Sequence, residues 1–506
     1  MPRDQSRPSL SIPGLTRRAF LAGAATAAAA TVAGPALAAS PSTPGTRVFA
    51  LRPAPGRATL VPGAGRDTAV WCYDGSVPGP EIRVKRGERV RVDVENGLDE
   101  ETTVHWHGLR VPNAMDGVPH LTQRPIAPGE RFRYEFDAHD AGTFWYHPHQ
   151  RGFEQIARGL YGPLIVEEDE PLRVDREMTW VLDDWRLTRE VALAEGFGGM
   201  HDASHAGRLG NTVTINGKVP DRWRVRASER VRLRLVNAAN ARIFALDFSD
   251  HEPVIVALDG QPVAPHVPDG GLVILGPAMR ADVVLDMRAP PGSRASVIDR
   301  FDDRRAYRLV DLSYANEPLR ASPPDWPLDL PANPLPEPDM ASAERHEIAF
   351  EGGMMGAMVA ARMGRGAGDR SEGRPARRGM MGGGMMGGRS MMDMMHSGKV
   401  WTINGVAAEG HVMEPMLTLA RGRSHVLAMT NVTAFHHPIH MHGHSFRVVS
   451  RDGRPTRHRE WQDTVLMAPT ERVEIAFVAD NPGDWMFHCH VMEHQAAGMM
   501  GVVRVA

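Results

Sequence analysis

The chain has 506 residues, 42% of them hydrophobic and 24% charged, with a formal net charge of -3, which is room for three domains of ordinary size and an ordinary soluble composition. No long basic block lies in the part that folds, which excludes nucleic acid and anionic membrane surfaces as expected partners. Aromatic residues are few (6%), whereas Met (28) and Gly (51) are in excess and concentrate in one late segment.

Residues 1–38 read as a twin-arginine signal peptide. Thr16-Arg17-Arg18-Ala19-Phe20-Leu21 carries the arginine pair, an Ala-rich stretch runs to about Val32, and Ala36-Leu37-Ala38 offers a small-residue cleavage site. That stretch is too short and too weakly apolar for a membrane anchor. The expectation is export in folded form to the periplasm, without stable membrane insertion. Of the two cysteines, Cys72 sits in Val70-Trp71-Cys72-Tyr73 and reads as an inert strand residue.

From Tyr73 onward a unit recurs three times: an Asn-Gly or Asp-Gly turn, an alternating strand, a polar turn, and a second alternating strand ending in Asn. The copies run Tyr73 to Asn96, Ile215 to Asn237 and Ile403 to Asn431, and each is followed by a further piece beginning at Ala127, Leu275 and Ala468. Apolar and polar residues alternate with the period of a half-buried strand. The fold expected is all-β: three consecutive cupredoxin-like Greek-key β-sandwich domains at 46–168, 169–322 and 345–506, with a Pro-rich linker at 323–344. A Met/Gly/Arg insert occupies 352–396, and its composition cannot supply a packed core.

Histidines fall at equivalent points of two copies. The first carries His105-Trp106-His107 and His147-Pro148-His149; the third carries His440-Met441-His442 and His488-Cys489-His490; the second has none. Residues i and i+2 of a strand face one side, so each pair sends two imidazoles in one direction. If the first and third domains face each other, eight imidazoles converge on one cavity, a donor set suited to copper. One such pair is ordinarily an accident of surface or core; four in register with a repeat are not. Cys489 points the opposite way, into the third domain. Cys489, His494 and Met499 follow at five-residue spacing, and His437 stands on the neighbouring strand. Two imidazoles, a thiolate and a distant thioether make a blue-copper electron-transfer set, with Met500 the competing thioether.

These motifs, HWHG, WYHPH, HPIHMHG and HCHVMEHQAAGMM, resemble in order the four copper signatures of the multicopper oxidase family. The resemblance implies four copper ions and an oxidase that takes electrons at one copper and reduces O2 to water at the other three. Carried over, type 1 copper is held by His437, Cys489, His494 and Met499, and type 2 by His105 and His440. The type 3 pair is held by His107, His147, His149, His442, His488 and His490. His444 is expected behind these ligands, and His120 and His201 at the surface or in the core. Asp116 matches the acid that relays protons in the family, which makes Cys489 and Asp116 the catalytic candidates. Gln495 departs from the Glu of many bacterial relatives, leaving Asp116 with water, or Glu493, to serve.

The insert bears on the electron donor. Met354, Met355, Met358 and Met363 are candidate ligands for substrate copper, with Met380, Met381, Met385, Met386, Met391, Met392, Met394 and Met395 beyond. Thioethers favour Cu(I), and a Met-rich segment here resembles the periplasmic cuprous oxidases of copper detoxification. Against the analogy stand six arginines (Arg362, Arg365, Arg374, Arg377, Arg378, Arg389), and Thr433 and Phe435 where the best-known cuprous oxidases have Asp and Met; Asp393 is a possible substitute. The alternatives are a laccase-like oxidase of phenols and aromatic amines, and a periplasmic copper-binding protein with little turnover. A monomer is expected.

Overall fold

The computed structural model describes residues 45–364, 398–411 and 414–506. The signal peptide, the methionines from Met380 to Met395, Asp393 and the arginines from Arg365 to Arg389 lie outside the described residues. No helix among the described residues is long and apolar enough to cross a membrane.

The strands sort into three groups of sheets. Residues 46–167 supply sheets of three, two and four strands; residues 176–314 supply one of six and one of five; residues 344–505 supply one of seven and one of five. Alternation explains the faces. In Arg472–Val478 the side chains of Val473, Ile475 and Phe477 are buried while Arg472 stays exposed, each buried side chain contributing about 1.5–3 kcal/mol relative to exposure. Arg230–Asn237 breaks the pattern by being buried along its whole length. Its arginines face the first sheet group: Arg232 donates to Glu168 and Asp282, and Arg234 to Asp282, Glu177 and Thr143 Oγ1. Sequence alternation there marks a polar interface, not a solvent face.

The threefold repeat has a structural counterpart at both ends of each unit. The turns Asp74-Gly75, Asn216-Gly217 and Asn404-Gly405 all have positive φ at both residues, 50° and 78°, 50° and 71°, 51° and 76°, the backbone of a tight hairpin turn that Asn/Asp-Gly adopts without steric conflict. The closing asparagines make one motif three times. Asn96, Asn237 and Asn431 each accept an N–H from two residues on (2.9, 3.0 and 3.1 Å). Their amides donate to two further carbonyls, Ile126 or its equivalents Leu275 and Ala468 among them. Each Asn thereby pins the segment that leads into the histidine strand, or into its histidine-free counterpart. The stretch between 315 and 343 carries no strand; Arg230 donates to its Trp326 and Pro324 carbonyls, and Asn333 bonds both ways with the Ala141 backbone.

Candidate metal centre

In the first sheet group His105–His107 pairs antiparallel with Gly142–His147, placing His105 opposite His147. In the last group His437–Met441 pairs with Gly483–Cys489, placing His440 opposite His488. Directly opposed residues project to one side of a sheet, so each group presents a block of imidazoles. The middle group has the same pairing, Leu246 opposite Asp299, without a histidine. One expectation needs correction. Only His105-Trp106-His107 lies wholly on a strand, whereas His149, His442 and His490 stand just past strand ends. Their amides leave the sheet ladders and donate to Thr103 Oγ1 (3.2 Å), the Met486 carbonyl (3.0 Å) and the Pro438 carbonyl (2.7 Å).

The donor atoms form compact buried sets. His107, His147 and His490 make one triad and His149, His442 and His488 another, each with donors within 4.8 Å of one another. His105 stacks on His442 at 3.9 Å between ring centroids and His440 on His107 at 3.8 Å. Protons can be assigned from the partners, because carbonyls and carboxylates only accept. Nδ1–H of His105 donates to the Asp116 carbonyl (2.7 Å), that of His440 to the Asp463 carbonyl (2.8 Å), and that of His442 to Asp116 Oδ2 (2.9 Å). His147 and His488 donate in the same way to the Pro148 and Cys489 carbonyls, both at 2.9 Å. His107 is reversed, with Nε2–H donating to Asp463 Oδ1 at 3.1 Å.

The remaining nitrogens of His105, His107, His147, His440, His442 and His488 therefore carry lone pairs. His442 Nε2 faces His488 Nε2 at 3.1 Å, and His147 Nε2 lies 3.4 Å from His490 Nε2 and 3.5 Å from His107 Nδ1. The buried Nε2 atoms of His105, His149 and His440 and Nδ1 of His490 have no hydrogen-bond partner. Burial, then neighbouring imidazoles, holds His107, His147, His149, His442, His488 and His490 well below the ordinary histidine pKa. Converging buried imidazole nitrogens without hydrogen-bond partners fit a cation.

A second set lies on the other side of the strand. His437 Nδ1 is 3.4 Å and His494 Nδ1 3.7 Å from Cys489 Sγ, and the two nitrogens are 3.2 Å apart. Their outer nitrogens are held by Thr433 Oγ1 (2.8 Å) and by the His205 carbonyl (2.6 Å). Burial pushes the Cys489 thiol up; a bound cation reverses that and takes the thiolate. The stretch after Cys489 is a short helix, Met492–Ala496, rather than an open loop. Met499 lies in the same apolar cluster as Cys489, while Met500 belongs to another with Val118, Ala408 and Met486.

Three family profiles described as Multicopper oxidase match residues 56–171, 176–304 and 388–506. Multicopper oxidase MmcO of Mycobacterium tuberculosis is 31% identical, over 91% of this chain and 87% of that protein. The chain belongs to the multicopper oxidase family. Among solved structures, a multi-copper oxidase from Pseudomonas thermotolerans is 34% identical with a TM-score of 0.77, covering 91% of this chain and 99% of the other. The laccase-like multi-copper oxidase CueO of Ochrobactrum sp. is 28% identical with a TM-score of 0.72, covering 92% and 98%. As a member, this multicopper oxidase takes four copper ions, one type 1, one type 2 and a type 3 pair, and passes electrons from a reducing substrate to O2.

The acids around the oxidase's histidines divide by contact. Asp116 is buried and touches His105 and His442. The following Gly117 has a φ of +82°, and a Cβ there would overlap the Val104 carbonyl, so glycine is what lets the Asp116 backbone close on His105. Gln495 Nε2 lies 3.4 Å from His149 Nδ1. Glu493 is buried against Asn240 (3.1 Å), on the side of the middle sheet group. His444 sits behind His442, its Nδ1–H donating to that residue's carbonyl at 3.2 Å, and His120 and His201 are exposed.

The residues that sequence reasoning missed come partly from the middle group, which supplies no histidine to the centre. Arg280 is fully buried and donates to both oxygens of Asp463, at 2.8 and 2.5 Å. Burial alone would raise the Asp463 carboxyl, but the guanidinium outweighs it and holds it well below the usual range. Asp463 orients His107 through its side chain and His440 through its backbone. Asp259 accepts N–H groups from Asp463 (3.2 Å), Thr464 (3.0 Å) and Arg280 (2.9 Å). No sequence motif marks this chain of contacts, since its members are far apart and each resembles an ordinary strand residue.

Of the candidate methionines, Met354 and Met355 precede a helix at Gly356–Arg362, Met358 lies on it and Met363 follows it. Met354, Met355 and Met358 are 41%, 50% and 52% exposed. The segment is anchored where Gly353 packs against the Trp401 ring, and Trp401 lies 5.1 Å from the His437 ring and 4.3 Å from that of His494.

Proposed function

We propose that this oxidase couples conversion of Cu(I) to Cu(II) to the four-electron reduction of O2 to water. In this reading His437, Cys489, His494 and Met499 hold type 1 copper, and His105 and His440 hold type 2. The triads His107–His147–His490 and His149–His442–His488 hold the type 3 pair. The observation that carries the assignment is the convergence of eight buried imidazoles into compact sets, among them the triads His107–His147–His490 and His149–His442–His488, with His105 and His440 left over beside His107. Copper bound there supplies one-electron redox at the thiolate site and O2 binding and reduction at the imidazole cluster. The chain contributes the wiring: Cys489 is covalently continuous with His488 and His490, a short bonded route between the two centres. Asp116, touching two cluster imidazoles, is the proton donor on this side.

The Cu(I) preference rests on three neighbouring methionines held in solvent beside Trp401, where apolar burial would ordinarily hide them. Periplasmic localisation belongs to the same reading and rests on the Thr16–Leu21 pattern. A laccase-like activity has its own support. A cavity of about 800 Å³ lies against Phe435 and His436, with Tyr307, Arg308 and Phe301 opposite, a volume that suits an aromatic donor, and the Ochrobactrum relative is described as oxidising lignin model compounds.

Steady-state O2 consumption with Cu(I) and with a phenol decides between them. The Cu(I)-to-phenol turnover ratio is expected to fall about tenfold or more in Met354→Leu/Met355→Leu/Met358→Leu, the scale of losing metal-orienting groups. An unchanged ratio refutes the cuprous reading, and absence of O2 uptake with either donor leaves a copper-binding protein.

A further inference from the structure

A five-residue helix of the middle sheet group, Met200–Ser204, is held within its own group at Asp202 and fastened to the type 1 side of the last group at the next three residues. Asp202 is gripped by Arg186 through bonds of 2.8 and 3.0 Å. The next three carbonyls, left over at any helix C-terminus, all receive donors from the last group. Ala203 accepts from Trp401 Nε1 (2.6 Å), Ser204 from the Met354 amide (2.9 Å), and His205 from His494 Nε2 (2.6 Å). Gly207, with a φ of +84°, lets the chain turn where a Cβ would meet Ala241 and Val491 at 2.5 Å, which presses this segment onto the start of the helix that carries His494.

That anchored turn carries two histidines one helical turn apart, on one face. The His201 and His205 rings lie 4.3 Å apart between centroids. His201 is exposed and His205 partly exposed, so the pair is open to solvent. Nδ1 of His205 lies 2.9 Å from the His201 carbonyl, which can only accept, so the ring proton is on Nδ1 and Nε2 keeps its lone pair. An exposed histidine pair alone would be unremarkable surface. Here the backbone of one member is bonded to the outer nitrogen of a proposed type 1 ligand, and the backbone of Met354 is bonded to the residue between them.

We propose that His201 and His205 form the docking site for the cuprous ion, with Met354 and its neighbours delivering it. The donors are two imidazoles, and Met354, whose amide bonds the Ser204 carbonyl between them, begins the run of exposed thioethers; imidazole and thioether together suit Cu(I). The electron leaves through the His205 backbone and across the 2.6 Å hydrogen bond to His494. In each event one Cu(I) loses one electron and departs as Cu(II), and the electron enters the enzyme on the His494 side. No proton moves in this step, and four such events match one O2 reduced to two waters. The inference rests on the cuprous reading above, yet it can fail separately.

The test titrates copper-loaded enzyme with Ag(I), a redox-inert stand-in for Cu(I), and follows the visible charge-transfer band of the Cys489 site. Wild type is expected to show a saturable change in that band, because an ion on His205 acts on His494 through one hydrogen bond. His201→Ala/His205→Ala, and His201→Ala alone, are expected to weaken that response about tenfold or more and to raise the KM for Cu(I) by a similar factor. Copper content and the band before titration establish that the variants are folded. A double variant with unchanged Ag(I) response and unchanged KM overturns the site, as does a wild type without a saturable response. If wild type fails to oxidise Cu(I), the cuprous reading falls, and the Ag(I) titration still judges the histidine pair.

Discussion

Arg280→Met removes a side chain more than a hundred residues from any histidine of the centre, in the sheet group that holds none. Two charge-assisted hydrogen bonds to Asp463 and the contact with Asp259 at 3.5 Å are lost, leaving two buried carboxylates side by side. Breaking a buried ion pair by removing one partner costs about 3–5 kcal/mol, and loosening groups that orient metal ligands lowers metal affinity about 10–100-fold. The loss should be selective. His107 and His440 depend on Asp463, whereas His437 and His494 depend on Thr433 and the His205 carbonyl. Copper competition with a chelator, read by elemental analysis and by the visible band, should show the cluster emptying while the coloured site persists. Arg280→Met/Asp463→Leu removes both charges and should recover much of the stability without recovering cluster affinity. Refutation is a single variant with wild-type copper affinity and a stability within about 0.5 kcal/mol of wild type, the range of an inconsequential surface change.

Asp116→Asn keeps an acceptor for His442 Nδ1–H but has no exchangeable acid proton. Turnover should fall by about 10²–10⁴, the range for losing a positioned proton donor, with copper content intact; near-wild-type turnover removes Asp116 from the proton path. Asp259 supplies a pH signature. Burial, then the neighbouring Asp463, pushes its carboxyl up to about 7 from the ordinary 3.8. The folded state thus binds this proton more tightly than the unfolded chain, so the contribution of Asp259 is present at low pH and is lost as pH rises from 3.8 through about 7; the buried histidines of the metal-free protein contribute with the opposite sign, losing stability as pH falls below 6.5. The stability difference between metal-free wild type and Asp259→Asn, read by thermal unfolding from about pH 5 to 8, should favour wild type progressively less as pH rises toward about 7; a difference independent of pH contradicts the assignment.

The sheets could be read from the chain because the Asn-Gly turns, the alternating strands and the closing asparagines each impose local geometry, and the same geometry recurs three times. The histidine motifs were legible for a similar reason: spacing of two, beside strands, fixes which way rings point. What spacing could not give was the far side of each ring. Thr433 looked like a departure from a substrate ligand, and in the fold its hydroxyl holds His437 Nε2. Arg280, Asp259 and Asp463 are brought together only when the middle and last sheet groups pack. Arg232 and Arg234 carried the alternation of a solvent-facing strand and are buried, because the surface they face is lined with Asp282 and Glu168. His201, read as surface or core, is exposed as one half of a pair.

The account turns on Cys489 binding one copper while its two neighbours in sequence bind others, and Cys489→Ser measured beside wild type by elemental analysis and visible spectroscopy tests this directly. The prediction is about four coppers and an intense thiolate-to-copper band in wild type, and about three coppers with no such band in the variant. A colourless wild type, or a variant that keeps its colour and its fourth copper, would contradict it.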